Sequence, residues 1–596
     1  MTSPGSPPGL GPLALLRLPW GFWMVGLGLG LGLGYGFYGR AAGPIVNGGG
    51  FANFGAFWAA SLHPDLAPDF LARIVRASGI TFAYAVCGTV LSVAIGAIGG
   101  GLASKIFWLS FCPQGSRGYG WGLAAWGLVR GLLIPPRAIH ELIWGLLLLN
   151  ILGLDPVVAV LAIAIPFGAS VAKVFSEILD ETPTDPLYAL LYAGVSPPKA
   201  WLYGFLPLAL PNLLSYTFYR FECSLRSAAV LGVIGAGGLG YELLLSLQSL
   251  RYDELWTGFY ALLVLNGLVD SWSATLRRSL GFTSRLDLNQ PLVSTPPFQR
   301  GAGGDSNAAY PGTRSDRSWL IPVSGLLTAI AIPLSFYSLD IGWDRLFSPR
   351  SRLLLGEIFA EARPPWPDTA TLTQLAQLSL LTLAMSVLAM VLAGLGGILA
   401  SFPAAHTVLL PGGWLQPLGS RSEARSSPQV HLQTAIAWIL FLGTRFLLLL
   451  SRAIPAPIWA LVWLFILFPG ILPGAIALAL HNFGILGRLM AEVNENLDDR
   501  PLRALHTLGA PPVAALLYSV LPQNLSRFLA YILYRWEVCL RETAIVGLVG
   551  AGGLGRLMTE QISSFDYSGL SLTLLCFIVL TLVVDSLSQA LRPLLR

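Results

Sequence analysis

The chain has 596 residues, of which 54% are hydrophobic and 11% are charged, and its formal net charge is +5. Soluble domains carry about 25% charged residues, so this composition, with a mean hydropathy of +0.66, excludes an ordinary soluble protein. The small, scattered net charge also argues against a nucleic-acid-binding protein. The sequence therefore predicts an all-α polytopic membrane protein, because helices satisfy their own backbone hydrogen bonds within the bilayer.

Apolar runs of about 20 residues, the length that crosses a bilayer core of about 30 Å, divide into two sets of six predicted helices. The first set comprises 18–39, 79–103, 138–154, 156–175, 203–225 and 256–276. The second set comprises 319–338, 375–402, 454–469, 471–490, 518–540 and 570–590. Helix 18–39 is too long for the core of a cleaved signal peptide, so we interpret it as transmembrane. Basic residues near the helix ends favour cytoplasmic N- and C-termini.

A stretch rich in Pro, Gly, Ser and Thr at 281–318 lies between the two sets. This composition is typical of a flexible linker, and we place it in the cytoplasm. It separates a first unit, 1–280, from a second unit, 319–596. A polar insert at about 404–430 occurs in the second unit only, and it carries no motif that assigns it a function.

The two units are copies of each other. Tyr-Arg-Phe-Glu-Cys-Ser-Leu-Arg at 219–226 recurs as Tyr-Arg-Trp-Glu-Val-Cys-Leu-Arg at 534–541, an offset of 315 residues. The same offset relates Gly194 to Gly509 and Pro207 to Pro522. Because each unit has an even number of predicted helices, we expect a parallel repeat rather than an inverted one.

A glycine-rich run follows each copy of this stretch. Its members are Gly235, Gly237, Gly238 and Gly240 in the first unit, and Gly550, Gly552, Gly553 and Gly555 in the second. The spacing matches the G-x-G-x-x-G dinucleotide fingerprint, but that motif needs a soluble βαβ unit. These glycines end a predicted membrane helix, which favours a tight turn or a gate hinge.

Charged side chains lie within the same predicted helices. They are Arg220, Glu222 and Arg226 in the first unit, and Arg535, Glu537 and Arg541 in the second. A charge at membrane depth costs a few kcal/mol and usually faces a cavity or a partner. Each glutamate precedes an arginine by four residues, so we expect these two to pair, with Arg220 and Arg535 in surplus. Such arginines would suit a small oxyanion along a translocation path; alternatively, the charges only lock the halves together.

A cytoplasmic loop precedes the fifth predicted helix of each unit. The sequence of this loop predicts a short helix that ends at Gly194 or Gly509, followed by a second helix that runs to a proline. The loop resembles the hallmark of inner-membrane permeases of binding-protein-dependent ABC importers: Glu-Ala-Ala, three residues, Gly, nine residues, Ile, one residue, Leu-Pro. The matching residues are Ala189, Gly194, Leu206 and Pro207, and in the second unit Ala504, Gly509, Leu521 and Pro522. Departures are Tyr188 and Arg503 for the glutamate, Leu190 and Leu505 for the second alanine, and Gly204 and Ser519 for the isoleucine.

A narrower resemblance is carried by the stretches 219–238 and 534–553, and by 137–144 and 452–459. They resemble permeases of phosphonate importers and their phosphite-handling relatives, here as two permease units fused in one chain. The resemblance implies two cytoplasmic ATP-binding subunits and an extracytoplasmic substrate-binding protein as partners. It also implies import of a small phosphorus oxyanion across the inner membrane by alternating access, with the two loops coupling ATP use to the helices.

Several chemistries lack a motif in the chain. There is no GxxxxGK[ST] sequence, so we expect ATP and Mg²⁺ on the partner subunit and no cofactor or catalytic residue here. The five cysteines form no CxxC, and the six histidines have no metal-ligand spacing, so we expect no metal site.

Two other classes stay open. An ion-gradient-driven secondary transporter can also have parallel six-helix repeats, and Asp270 and Asp585 are its candidate coupling residues, although they lie near predicted helix ends. A membrane-embedded lipid enzyme has no nucleophile or metal constellation to support it. The sequence does not distinguish phosphonate from phosphite or phosphate as the substrate. It also does not distinguish the role of one unit from that of the other.

Overall fold

The computed structural model describes residues 46–112, 118–279, 320–410, 413–415, 428–498 and 500–592. These residues are largely helical, with one isolated β-bridge between Val46 and Leu467 and no strand. The predicted helix 18–39, the linker 281–318 and most of the 404–430 insert lie outside the described residues.

The first half of the chain contains twelve described helices. They are α1 Phe51–Ala59, α2 Pro68–Ala103, α3 Lys105–Phe111, α4 Tyr119–Leu132, α5 Ile134–Ala138, α6 Glu141–Leu152, α7 Pro156–Glu181, α8 Asp185–Tyr192, α9 Pro197–Ala200, α10 Leu206–Leu231, α11 Leu239–Gln248 and α12 Tyr252–Ser279. Wide π-helical turns, Trp201–Phe205 and Gly232–Ala236, flank α10.

The second half follows the same order. Its described helices are α13 Leu320–Ser338, α14 Trp343–Leu346, α15 Pro349–Glu361, α16 Thr369–Ala404, α17 His406–Leu409, α18 Pro428–Ala453, α19 Ala456–Trp463, α20 Ile471–Glu495, α21 Arg500–Thr507, α22 Pro512–Ala515, α23 Leu521–Val546, α24 Gly553–Ser563 and α25 Tyr567–Leu591. The π-helical turns recur at Leu516–Val520 and Gly547–Ala551.

Eight of the described helices are long and apolar enough to cross a membrane. They belong to α2, α7, α12, α13, α16, α18, α20 and α25. Two bent pairs also pass when each is taken as one span: 119–138 with α6, bent by 85°, and 197–236 with α11, bent by 57°. The protein is therefore an all-α, multi-pass membrane protein with eight to ten described spans.

Two glycines set the separation of α2 and α7. A Cβ at Gly88 would lie 2.7 Å from the Ile163 side chain, and one at Gly96 would lie 2.3 Å from that of Val171. Small residues let membrane helices approach closely. Helix α7 itself begins at Pro156, directly after Asp155, whose carboxylate accepts the Val157 amide at 2.9 Å. This N-cap fixes the start of the span.

One predicted helix end was wrong, and the apolar helix before it was missed. The predicted helix 454–469 ends early, because α19 covers only Ala456–Trp463. Preceding it is α18, which the predictions missed, although 432–453 is apolar apart from Arg445, Arg452 and a few uncharged polar residues. Pro455 separates α18 from α19, because proline cannot continue a helix and restricts the residue before it. In the first half the predicted 138–154 is likewise α6, preceded by α4 and α5.

Contacts divide the chain into two compact units that do not follow the sequence halves. One contains residues 46–65, 246–263 and 353–592 among those described. Within it, the Asn47 amide donates to the Ile466 carbonyl at 2.6 Å. The rings of Phe54 and Trp463 lie 5.5 Å apart, and the Trp256 indole donates to the Phe57 carbonyl at 2.6 Å. We call 46–65 the first exchanged segment, because it packs with residues of the second half.

The other compact unit contains 66–245 and, among the described residues, 264–279 and 320–352. Here a segment of the second half packs with the first. Leu339 lies in the core cluster with residues of α2 and α7. Arg345 forms an ion pair of 3.0 Å with Asp155 at the start of α7. We call 320–352 the second exchanged segment. The sequence units 1–280 and 319–596 thus both contribute to both compact units.

Candidate functional site

The two loops between α7 and α10, and between α20 and α23, share one backbone geometry. Helix α8 ends at Tyr192 and is followed after one residue by Gly194, whose φ is +80°. The amides of Gly194 and Val195 donate to the carbonyls of Leu191 and Leu190, both at 3.0 Å. The second loop repeats the turn at Gly509, with φ of +84°. A left-handed residue at this position strongly favours glycine, and the predicted helix and turn are confirmed.

Buried anchors hold each loop to its own unit, while the predicted motif residues reach solvent. Leu187 and Leu502 are fully or nearly fully buried. Ala189 and Ala504 are exposed, as are Pro207 and Pro522 in the first turns of α10 and α23, where Leu206 and Leu521 are half-buried. Between them, Tyr203 and Tyr518 are 76% and 80% exposed. Each loop therefore presents an outward face with one shared aromatic side chain.

The glycine-rich runs are sharp turns, as predicted. Gly235, Gly237 and Gly238 have φ of +94°, +85° and +76°, and their counterparts Gly550, Gly552 and Gly553 have +100°, +82° and +73°. The following Gly240 touches backbone, since a Cβ there would lie 1.8 Å from the Ala229 carbonyl oxygen. The same holds at Gly555, where a Cβ would lie 2.5 Å from that of Ala544. In the first unit a cavity of about 160 Å³, bordered by Gly235 and Asp155, lies beside the turn.

A threonine on a distant helix holds each turn, and the predictions missed both. The Thr81 hydroxyl oxygen accepts the Leu239 amide at 2.8 Å, and that of Thr382 accepts the Leu554 amide at 3.0 Å. Both threonines are buried. They lie 301 residues apart rather than 315, because the units differ in length upstream of the matched register. A comparison at a fixed offset therefore does not align them.

We expect Thr81→Val or Thr382→Val to destabilise the glycine-rich turn. Valine keeps the shape but leaves a buried amide without its acceptor, which costs about 1–3 kcal/mol. The measurement is the thermal transition of the purified protein, with amide exchange at Leu239 or Leu554. Thr81→Ser, which keeps the hydroxyl, is the control and should exchange as slowly as the parent. Equal protection in the valine variants would contradict the assigned bond.

The charged side chains of α10 and α23 have long-range partners. Glu222 pairs with Arg277 of α12 at 3.3 Å. Glu537 pairs in the same way with Arg592, just after α25. Arg277 and Arg592 are themselves 315 residues apart, so both units contain this ion pair, which is buried in the first unit and partly exposed at Arg592 in the second. The expectation of pairing with Arg226 and Arg541, four residues later, missed these partners.

The predicted surplus charge on Arg535 is wrong. Its guanidinium lies 2.7 Å from the Glu542 carboxylate, and its Nε donates to Asn482 Oδ1 at 2.6 Å. Glu542 is seven residues further along α23, so two helical turns bring it to the same face. Arg220 is held differently, with its guanidinium 4.2 Å from the centre of the Phe167 ring. Phe167 corresponds to Asn482, and a cation over an aromatic face is attracted electrostatically.

A carboxylate of another helix lies near the corresponding position in the first unit. Ser227, the counterpart of Glu542, donates its hydroxyl to Glu141 Oε1 at 2.6 Å. Glu141 also lies 3.1 Å from His140 Nδ1. The second unit has Pro455 and Ala456 at these two positions. Near this position each unit thus has an acid, which is the buried Glu141 of α6 in the first unit and the partly buried Glu542 of α23 in the second.

No group of three or more His, Cys, Asp or Glu residues within the described ranges is placed to hold a metal ion. The described site instead comprises two loops with exposed motif residues, two glycine turns fixed by threonines, and partly buried arginines at positions 315 residues apart on α10 and α23. An exposed loop can contact another protein, and a guanidinium can contact an anion.

Comparison with known proteins adds two kinds of match. The family model described as binding-protein-dependent transport system inner membrane component matches residues 122–280 and 435–596. Each match contains one loop, one charged helix and one glycine-rich turn. The family model therefore recognises the same repeat as the internal offset of 315 residues.

Three curated relatives have names that concern phosphorus compounds. The phosphate-import permease protein PhnE of Mycolicibacterium smegmatis is 26% identical over 474 residues, which is 79% of this chain and 78% of that protein. The phosphite transport system permease protein PtxC of Stutzerimonas stutzeri is 34% identical over 154 residues, 26% of this chain and 56% of that protein. A protein of Escherichia coli named as a cryptic phosphonate transport system permease, PhnE2, is 36% identical over 117 residues, 20% of this chain and 96% of that protein. No solved structure matches the chain.

Proposed function

Because the chain belongs to the family of binding-protein-dependent transport system inner membrane components, we propose that it forms the complete transmembrane pathway of an ATP-driven importer. The observation that carries the proposal is the double match: two family domains lie in one chain, and each contains a loop with the same left-handed glycine. Two cytoplasmic ATP-binding subunits would dock on these loops and bind the Mg-ATP. An extracytoplasmic protein would deliver the substrate.

The proposed mechanism is alternating access. ATP closes the two ATP-binding subunits, and their approach moves the loops at Gly194 and Gly509. The loops are continuous with α10 and α23 through the π-helical turns, so their movement reaches the charged helices and the glycine turns. Each ligand shifts this two-state equilibrium by its differential affinity for the two states. With the two loops on the cytoplasmic side of the inner membrane, both chain termini of this multi-pass protein also lie in the cytoplasm.

The proposed substrate is a small phosphorus oxyanion of the phosphonate, phosphite or phosphate type. The names of the relatives support this class. Partly buried arginines on α10 and α23 support it as well, because a guanidinium binds such oxygens through two parallel hydrogen bonds. Arg226 and Arg541 lie six residues further along the same helices and add positive charge there.

We expect Arg220→Ala to raise the KM for the anionic substrate on the order of tenfold, since a hydrogen bond to a charged group contributes about 1.5–3 kcal/mol. Arg220→Lys keeps the charge but loses the planar fork, so it should lie between the two. The measurement is concentration-dependent uptake at matched protein levels. The double variant Arg535→Ala with Glu542→Ala tests the other unit, because it removes both members of the ion pair at once. Unchanged kinetics in all variants would favour the alternative that these charges only hold helices together.

The decisive experiment is uptake by cells that lack their own phosphonate import. The chain is expressed with its cognate binding protein, with or without the ATP-binding subunits, and labelled methylphosphonate, phosphite and phosphate are compared. Uptake of at least one that requires the ATP-binding subunits is the expected result. Uptake that persists without them but stops when the proton gradient is collapsed would overturn the proposal in favour of a secondary transporter.

A further inference from the structure

The first loop, between α7 and α10, shares one buried core with a transmembrane helix. Leu187 and Phe205 of the loop belong to the same buried cluster as Val171 of α7. Trp201 also packs against this cluster, and its ring centre lies 6.0 Å from that of Phe205. Two aromatic side chains of the wide turn before α10 therefore help to join the first loop to α7.

The second loop, between α20 and α23, lacks both aromatic side chains. Leu516 and Val520 occupy the two equivalent positions. Among the described residues, the buried core of this loop is a separate small cluster that comprises Leu502, Ala515 and Val520. Because aromatic side chains bury more surface than aliphatic ones, the exchange leaves less contact between this loop and the transmembrane helices.

Trp414, from the insert that occurs in the second unit only, supplies an aromatic contact at this place. Its side chain packs against the loop cluster that contains Leu502. It also packs against a second buried cluster, to which α16, α17, α18 and α20 contribute Ala404, Val408, Leu448 and Ala491. Phe402 of α16 and Leu516 pack against both clusters as well, and Trp414 is the largest of the three side chains. Trp414 therefore connects the core of the second loop with that of three transmembrane helices.

Polar contacts fix the position of Trp414. Its backbone amide donates to the Thr407 carbonyl of α17 at 2.8 Å. Helix α17 is held in turn by the last residue of α20, because the Glu495 carboxylate accepts the His406 amide at 3.1 Å and lies 2.9 Å from His406 Nδ1. Arg445 of α18 pairs with the same carboxylate. Helix α17 thus contacts the helix end that precedes the second loop, while Trp414 contacts the core of that loop.

We propose that Trp414 is a positioning residue that transmits movement of the second loop to the transmembrane helices. This inference rests on the proposed function, in which ATP-binding subunits move the loop. In the first unit Trp201 and Phe205 of the loop itself make the corresponding connection, whereas in the second unit the insert supplies it. Without the indole, the second loop can shift while α16, α18 and α20 stay in place, so ATP hydrolysis proceeds with less import. The described part of the insert thereby gains a role that no sequence motif indicates.

The test measures how much labelled methylphosphonate, phosphite or phosphate is imported per ATP hydrolysed. The full chain is reconstituted in proteoliposomes with its ATP-binding subunits and its binding protein. Trp414→Ala should lower this ratio about fivefold, a change typical of side chains that carry coupling between sites, while ATP hydrolysis continues. Trp414→Phe keeps an aromatic ring and should retain most of the coupling. Trp438→Ala is the matched control, because the Trp438 side chain of α18 is 44% exposed, and it should leave the ratio unchanged.

A second variant tests the same connection from the side of the loop. Leu516→Trp introduces the aromatic side chain that the first unit has at this position, so adding it to Trp414→Ala should recover much of the lost coupling. Amide exchange in α21 gives a readout that needs no partner subunit. Exchange should be faster in Trp414→Ala than in the parent chain, because the loop core then opens more easily, and slower again in the double variant.

An unchanged ratio of import to hydrolysis in Trp414→Ala would overturn the inference. This holds even if both rates fell together, since a side chain that only stabilises the fold lowers both. An equal fall of the ratio in Trp438→Ala would overturn it too, because the ratio would then respond to the loss of any indole. Wild-type chain whose uptake does not depend on ATP-binding subunits would instead refute the proposed function itself.

Discussion

We expect Gly194→Glu and Gly509→Glu to abolish uptake, while ATP hydrolysis by the proposed ATP-binding subunits continues. Gly194 and Gly509 have φ of +80° and +84°. This left-handed conformation costs a residue with a Cβ about 1–2 kcal/mol. A glutamate also places a charged side chain on the outward face between the two short helices of the loop. Together these effects should separate the loop from its partner. The measurements are labelled-substrate uptake and phosphate release in the same membranes.

Alanine at the same positions separates strain from bulk. A Cβ at either glycine meets no atom within 4 Å, so Gly194→Ala and Gly509→Ala carry only the backbone cost and should retain most uptake. Protein levels must match, since a chain that fails to insert would imitate uncoupling. Normal uptake by both glutamate variants at normal protein level would refute the assignment of these loops as coupling elements.

We expect Glu222→Ala to destabilise the protein severely. The Arg277 side chain is only 7% exposed, and removing one partner of a buried ion pair costs about 3–5 kcal/mol because the other charge remains buried. The double replacement Glu222→Leu with Arg277→Met removes both charges and should recover much of the loss. The measurement is the thermal transition of the purified protein in detergent, followed by the intrinsic fluorescence.

The matched pair in the second unit should respond less. The Arg592 side chain is 29% exposed, so water can solvate it after Glu537→Ala. A double replacement at Glu222 and Arg277 that is as unstable as Glu222→Ala would contradict the account, since the cost would then come from lost packing rather than from an unpaired charge.

Local features of the sequence predicted the elements whose causes are local. Gly194 and Gly509 end short helices because few other residues adopt a left-handed conformation, and the glycine runs at 235–240 and 550–555 break helices for the same reason. The repeat was equally predictable, because 315 residues separate matched side chains. Helix α18 was missed although its apolar run is visible, because the predicted helix was placed at 454–469, after this run.

Partners across long distances could not be predicted in this way. Spacing along one helix suggested Glu222 with Arg226, but the structure supplies Arg277 from a helix 55 residues away. Thr81 and Thr382 lacked a signal, because a threonine in an apolar helix usually satisfies itself on the preceding turn. For Arg535 the reverse holds, because its partner Glu542 lies only two helical turns further along the same helix. Only the three-dimensional contact with Asn482 shows how the two side chains are oriented.

The exchanged segments impose an order on biosynthesis. Residues 46–65 leave the ribosome early, yet the side chains they contact at 459–467 are translated only near the end of the chain. Conversely, the compact unit built from 66–245 is complete only when 320–352 has been inserted. Contacts of such sequence separation form slowly. Phe57 can meet Trp256 early, but Phe54 has to wait for Trp463 until late in synthesis. Because both partners of each contact belong to one polypeptide, they can meet without the encounter of two separate chains.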